Sequence, residues 1–373
     1  MKIAVDISQI VYEGTGVASY TRNLVLNLLT CDTRNEYILF GYSLFRKNIL
    51  DNFFRSLKNK NFRALYKSIL LPQSLANIVW NRLHIFPLEN ILGSIDVYHS
   101  SDWIQIPARA RKITTVHDLI IFKYPETSHP DIINTQKKRL EHVKKECRMI
   151  VADSYSTGDD IEKILNIDRK KIKVIYPGIN SEFKSCTDKQ ISETLKKYRI
   201  KKPYYIFVGK SEPRKNLNSV LDAYKNLTRK LKDASPSLII AGSSGWGEEM
   251  PEFKGVIKIG DVKSSDLPAL YAGALSLVFP SLYEGFGLPV IEAMACGCPV
   301  ITSNRGSLKE IAADSALIVD PASVSDIAHK MKQVFTGNKL RQTLIKKGKR
   351  NALRFSWEQS AQKMINIYDS LLV

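Results

Sequence analysis

Short apolar runs of buried-strand length recur along the whole chain, each ending in glycine, proline or polar residues. In the first half they are Ile3–Ile7, Asp96–Ser100, Ile113–Asp118, Ile150–Ser154 and Lys173–Gly178. In the second half they are Tyr205–Gly209, Leu238–Gly242, Val256–Val262, Leu275–Phe279, Val300–Thr302 and Leu317–Pro321. Helical periodicity fills the gaps between them. Tyr20, Leu24 and Leu28 mark a helix over Ala18–Leu29, and others are expected through Tyr224 and Leu227, from Asp266, over 323–350, and from Phe355–Glu358 to Leu372. Strands alternating with helices predict an α/β protein with parallel sheets. At 373 residues the chain has the length of two domains. Pro177-Gly178 is a strong breaker, and 179–200 is polar and charged. The hinge is therefore expected there, giving domains 1–178 and 179–353, with a last helical segment 354–373.

The richest chemistry lies in Ser281–Ile301, SLYEGFGLPVIEAMACGCPVI. It reads as a loop, a helix opening near Pro289 and closing at Gly297, and a strand. Gly285 and Gly287 on either side of Phe286 let backbone N–H groups approach a ligand closely, and the helix N-terminus at Gly287-Leu288 favours an anion. Glu284 and Glu292 flank that point. Carboxylates there would repel phosphate, so they suit hydroxyl donors, and a nucleotide sugar offers both an anion and vicinal hydroxyls. Dipole compensation alone would account for Glu292. It would not account for Glu284, read as solvent-facing in a Gly-Phe-Gly loop. Arg214 and Lys215 follow the strand ending at Gly209 and could neutralise a diphosphate. Gly209-Lys210-Ser211 is not a P-loop, because the earlier glycine position holds Tyr204. Gly14-Thr15-Gly16 falls short of a dinucleotide fingerprint, because Ser occupies position 19. His99, His117 and Asp118 end strands, where ligands of open α/β sheets bind.

Charge narrows the partners. The net charge is +18 and is spread over both halves. Nucleotide diphosphates, lipid phosphates or an acidic membrane suit it; nucleic acid ranks last, since no recognised motif is present. Residues 44–86 interleave basic residues with Phe53, Phe54, Leu57, Phe62, Leu65 and Tyr66. The stretch is either an ordinary surface helix or an amphipathic face for an anionic membrane. Lys137, Lys138, Arg139, Lys144, Lys145 and Arg148 mark a basic helix face over 131–148. No apolar run reaches the length of a membrane span, and MKIAVDISQI reads as a strand, not a signal peptide. Five cysteines without metal-ligand spacing fit a reducing compartment, so a cytoplasmic protein is expected, with peripheral contact at the inner face of the membrane.

EGFGLPVIE, with seven residues between Glu284 and Glu292, followed by EAMACGCPVI, resembles the signature of family GT4 (group 1) retaining nucleotide-sugar glycosyltransferases. EPRKNL around Arg214 and Lys215 is similar to that family's phosphate-binding segment, and TVHDL around His117 resembles its mannosyltransferase-like branch. The resemblance spans essentially the full chain. It implies the GT-B architecture: two Rossmann-like domains with parallel sheets facing a central cleft, an acceptor-binding first domain, a donor-binding second domain, and a last helix crossing back onto the first. It further implies that Glu284, His117, Arg214 and Lys215 serve catalysis. Gly14, Gly16, Gly209, Gly260, Val262, Gly285, Phe286, Gly287, Leu288 and Glu292 would join Glu284, Arg214 and Lys215 in binding the donor. Glu292 would hold the ribose, Glu284 the sugar, His117 the transferred sugar, and Asp118 would orient His117 or a loop.

The implied reaction transfers a sugar, first mannose from GDP-mannose, to a hydroxyl of a surface polysaccharide or lipid-linked O-antigen. UDP-glucose, UDP-galactose and UDP-N-acetylhexosamines are alternative donors. No Asp-x-Asp occurs in the chain, so neither a metal nor a cofactor is expected. A front-face retaining reaction fits better than a covalent glycosyl-enzyme, since no second acid is apparent. A pyridoxal-dependent phosphorylase, a nucleotide-sugar epimerase and a non-catalytic nucleotide-sugar-binding protein are the competing classes.

Overall fold

A computed structural model of the chain describes residues 1–58, 62, 64–183, 186–231, 235–243 and 253–371. Residues 244–247 of the expected loop after Gly242, and Leu372, lie outside them. The chain divides into two compact units, Met1–Gly178 with Ser356–Val373, and Ile179–Phe355.

The first unit holds seven strands: β1 Lys2–Asp6, β2 Glu36–Tyr42, β3 Ala64–Ile69, β4 Val97–Ser100, β5 Arg111–Val116, β6 Cys147–Ala152 and β7 Ile172–Val174. They form one parallel sheet in the order β3-β2-β1-β4-β5-β6-β7. The second unit holds β8 Tyr204–Val208, β9 Ser237–Ala241, β10 Val256–Gly260, β11 Ser276–Phe279, β12 Val300–Ser303 and β13 Leu317–Val319. Its parallel sheet runs β10-β9-β8-β11-β12-β13. In each sheet the order reverses once, between β1 and β4 and between β8 and β11. Loops leaving the carboxyl ends of such a pair diverge and leave room for a ligand. Both units are thus Rossmann-like.

The helix expected at Ala18–Leu29 runs Gly16–Cys31, with Thr15 Oγ1 accepting the Ala18 N–H at 3.2 Å as its cap. Its buried Tyr20, Leu24, Val25 and Leu28 join Ile3 and Val5 of β1 in the main core of this unit. The helix Trp357–Ser370 enters the same core through Trp357, Ala361, Met364, Ile365 and Tyr368. Ser360 Oγ also donates to Tyr176 O at 2.6 Å.

The reading of 44–86 as one amphipathic stretch requires correction. It folds as a helix, Lys47–Lys58, then β3, then short helical turns. Leu50, Phe53 and Leu57 are buried in the main core, and Phe54 stacks on Tyr66 at 4.8 Å. The apolar face of that helix is therefore already covered. Exposed apolar residues lie on both sides of it, at Leu44 and Phe45 before the helix and at Leu65, Leu70, Leu75, Ile78, Leu83, Ile85 and Phe86 after it.

Candidate active site

The loops after β8 and β11 meet at the reversal of the second sheet. The first carries Glu212, Arg214 and Lys215, then Asn216 in the left-handed region at φ 59°. Asn tolerates that backbone better than most residues. Its Nδ2 donates to Pro280 O at 3.1 Å and Pro321 O at 2.8 Å, joining the ends of β8, β11 and β13. The Leu282 N–H donates to Arg214 O at 2.8 Å. Arg214 and Lys215 are thereby set against Glu284.

Glu284 is buried, not solvent-facing as its glycine-rich surroundings suggest. Lys215 Nζ donates to Oε1 at 2.6 Å, and Arg214 Nη1 to Oε2 at 2.7 Å. Arg214 Nε also donates to Glu212 Oε2 at 2.9 Å. Lys215 Nζ stands 4.7 Å from the centre of the Phe279 ring, a cation–π contact. Burial raises the Glu284 pKa, but the charges of Arg214 and Lys215 and their hydrogen bonds outweigh it and pull it down to about 2. Burial pushes the Lys215 ammonium below its ordinary value, with Glu284 opposing.

The loop carrying Glu284 has its own supports. Ser307 Oγ lies 2.9 Å from Glu284 O and 2.7 Å from Phe286 O. A Cβ on Gly306 would stand 2.9 Å from Glu284 O. Gly287 caps the helix Leu288–Ala295 at φ 103°, and a Cβ there would stand 2.6 Å from Leu308 Cδ2. Gly285, Phe286 and Gly287 are buried, and Phe286 packs edge-on against Phe355 at 5.6 Å. On that helix, Glu292 Oε2 accepts from Tyr271 OH at 3.4 Å. Burial lifts Glu292 to about 7; the Tyr271 bond opposes this and the charge of Glu182 adds to it. Gly260 ends β10 at φ 65°, with Val262 half-buried beyond it. Gly209 follows β8 at φ 142°.

The first unit carries a second polar group. His117 follows β5 and Asp153 follows the neighbouring β6, so adjacent strand ends bring them together. His117 Nδ1 donates to Asp153 Oδ2 at 2.6 Å. Burial lowers the His117 pKa, but the Asp153 charge and hydrogen bond prevail and lift it to about 9. The ring is therefore oriented by Asp153; Asp118 Oδ1 accepts the Ile120 N–H at 3.1 Å and shapes the loop, one of the two roles expected of it. Tyr20 meets the His117 ring edge-on at 4.7 Å. His99 is buried, with Nδ1 2.7 Å from Tyr368 OH and Nε2 3.1 Å from Thr115 Oγ1. Burial holds it near 3, so it is a neutral structural group of this unit. Gly14 has φ 78°, and Gly16 opens the Gly16–Cys31 helix.

Asp153, Glu212 and Tyr271 went unseen in the sequence as site residues. Asp153 could have been suspected from IVADS, since a polar residue ending a strand beside His117 is well placed to partner it.

Removing Glu284 leaves two cations without their shared acceptor. Glu284→Ala should lower stability at pH 7 by about 3 kcal/mol, the cost of breaking a buried ion pair from one side. The folded-state pKa lies below the ordinary carboxylate value, so this stability is present above about pH 4.5 and lost as pH falls toward about 2. Urea denaturation of wild type and variant at pH 7 and pH 3 should show the difference shrinking at the lower pH. Equal stability at pH 7 would mean that the two ion pairs do not form in solution.

Comparison with known proteins accords with this geometry. Residues 16–183 match the model of Glycosyltransferase Family 4, and residues 190–351 that of Glycosyl transferases group 1. O-antigen chain mannosyltransferase B of Escherichia coli is 31% identical over 386 residues, covering 100% of both chains. O-antigen chain mannosyltransferase RfbU of Salmonella typhimurium is 31% identical over 223 residues, 58% of each chain. Among solved structures, Anabaena HepE in complex with UDP and glucose superposes with a TM-score of 0.73 at 16% identity, over 99% of this chain and 100% of that one. The fold is that of the GT-B glycosyltransferases, and the chain belongs to the group 1 glycosyltransferases of family 4.

Proposed function

We propose that this protein transfers mannose from GDP-mannose, with retention, to a hydroxyl of a growing O-antigen or similar lipid-linked polysaccharide. The observation that carries the reading is the convergence of Arg214, Lys215 and Glu284 beside the start of the helix that bears Glu292. The E. coli and Salmonella relatives, both O-antigen chain mannosyltransferases, support the sugar and the acceptor class.

In this reading the second unit binds the donor. Departure of the nucleoside diphosphate leaves negative charge on a phosphate oxygen. Arg214, Lys215 and the free N–H groups at Gly287 and Leu288 stabilise it; one such preorganised donor is worth about 3 kcal/mol. Glu284 holds both cations in position. A carboxylate has about four acceptor sites, so it can still receive sugar hydroxyls. A carboxylate held near pKa 2 by two cations is a poor nucleophile, which supports a front-face reaction over a covalent intermediate. Glu292 accepts the ribose hydroxyls. In the first unit, His117 contacts the transferred sugar, and Asp153 keeps its ring oriented and charged.

Membrane contact belongs to the same reading. Leu65 and Lys67 share the exposed face of the edge strand β3, and Arg82, Leu83, Ile85 and Phe86 are exposed beyond it. Apolar residues with neighbouring cations suit an anionic lipid surface. No described helix is long and apolar enough to cross a membrane.

A donor panel tests the transfer. GDP-mannose should raise the melting temperature and be slowly hydrolysed, and Arg214→Ala should slow turnover at least about a hundredfold, as expected for a transition-state charge contact. A response to a UDP-sugar instead would replace the donor. Binding without hydrolysis or transfer would favour a non-catalytic nucleotide-sugar-binding protein. Because Glu292 accepts hydroxyls more strongly when ionised, GDP affinity should rise between pH 6 and pH 8 through the value near 7, and Glu292→Gln should flatten the profile. An equally steep profile in the variant would remove the ribose assignment. Phosphatidylglycerol vesicles should sediment the protein and pure phosphatidylcholine vesicles much less. Ile85→Ser with Phe86→Ser should reduce that sedimentation several-fold; unchanged sedimentation would exclude this surface.

A further inference from the structure

A second constellation lies near the amino ends of β5 and β6 in the first sheet. Helix Pro130–Glu146 presents His142 and Glu146 one turn apart, and His84 comes from the segment after the helical turn Asn77–Arg82. His84 Nε2 is 2.5 Å and His142 Nδ1 3.7 Å from the same oxygen, Glu146 Oε1. The two imidazoles stack at 3.8 Å. Lys112, at the start of β5, pairs with the other oxygen, Glu146 Oε2.

The outer nitrogens decide what the inner ones can do. His84 Nδ1 is 2.8 Å from Trp80 O, and His142 Nε2 is 2.8 Å from Asn81 O. A carbonyl oxygen only accepts, so both outer nitrogens carry hydrogens. In the neutral rings both inner nitrogens then turn bare lone pairs toward a carboxylate oxygen. Three electron-rich atoms facing one another call for a proton on an imidazole or a metal cation between them, and two imidazoles converging on one carboxylate oxygen offer a metal three ligands at once. Backbone carbonyls on the far nitrogens and a cation on the second carboxylate oxygen are the outer supports that fix ligands in metal sites.

We propose that His84, His142 and Glu146 bind one zinc ion, with water as the fourth ligand. Two imidazole nitrogens and one carboxylate oxygen form a zinc donor set and a poor one for magnesium or calcium. Tetrahedral bonds of about 2.0–2.1 Å place donors about 3.3 Å apart. His84 therefore withdraws slightly from Glu146, His142 approaches, and the ring stack splays. His117 lies past the far end of β5, about 16 Å away along the strand, so the ion is structural and takes no part in transfer.

Its structural task is visible in the backbone. His84 has φ 53° and Phe86 φ 68°, conformations costly for non-glycine residues. Leu83, Ile85 and Phe86 in the same loop are exposed. The ion would tie this loop to the Pro130–Glu146 helix and offset the backbone cost.

The full chain, stripped with EDTA and desalted, is titrated with zinc against a chromophoric chelator, and with cobalt(II) for visible absorption. One zinc per chain, a tetrahedral cobalt spectrum and a melting temperature raised by zinc but not by magnesium are expected. His84→Asn and Glu146→Gln, checked for folding by circular dichroism, should each weaken zinc binding at least about tenfold. Failure of wild type to bind zinc stoichiometrically, an octahedral or absent cobalt spectrum, equal stabilisation by magnesium, or unchanged affinity in folded variants would overturn the site.

Discussion

The candidate active site depends on one buried carboxylate. Glu284 is the shared acceptor for Lys215 and Arg214, and neither cation could be kept out of water alone without a large penalty. With Glu212, which also accepts from Arg214, two carboxylates and two cations compensate one another. Their pairing also fixes two loops that leave different strands, because Arg214 and Lys215 follow β8 while Glu284 follows β11. The backbone is built to the same end. Asn216 ties three strand ends, Ser307 holds the Glu284 loop by its carbonyls, and Gly287 and Gly306 keep space that side chains would fill.

Two glutamates of one nine-residue segment end in opposite electrostatic states. Glu284, between two cations, is held ionised; Glu292, lifted by burial and by the field of Glu182 against a single tyrosine hydrogen bond, titrates near neutrality. Both are withdrawn from water, so neighbours and not depth make the difference. A single motif thus supplies one fixed charge and one that depends on its surroundings.

What the sequence disclosed follows the range of the interactions involved. The glycine loop, Pro289 and the periodic helices are local features, and they were legible because local backbone preferences produce them. The parallel architecture was legible too, since each strand is a continuous apolar run. Two strands escaped. In β3, ALYKSI alternates and is flanked by lysines and arginines, so it merged into a supposed amphipathic face; β2 was passed over although EYILFGY is largely apolar. Partnerships across the sheet were beyond reach. His117 and Asp153 are separated by 36 positions, and Lys215 and Glu284 by 69. Only the strand order makes them neighbours. For the same reason Asp153 was not seen as the partner of His117, and a loop flanked by glycines was read as wet.

The helix Trp357–Ser370 gives the first unit a peculiar history. Its side chains occupy the same core as Ile3, Leu24 and Leu28, yet the whole second unit is inserted between Gly178 and Ser356. During synthesis, then, the strands of the first unit emerge early and wait with part of their core uncovered. The second unit, continuous in sequence, can close as soon as its own residues have emerged. The order of completion is therefore the reverse of the order of translation: the part made first is finished last, by a helix that seals it from the other end of the chain.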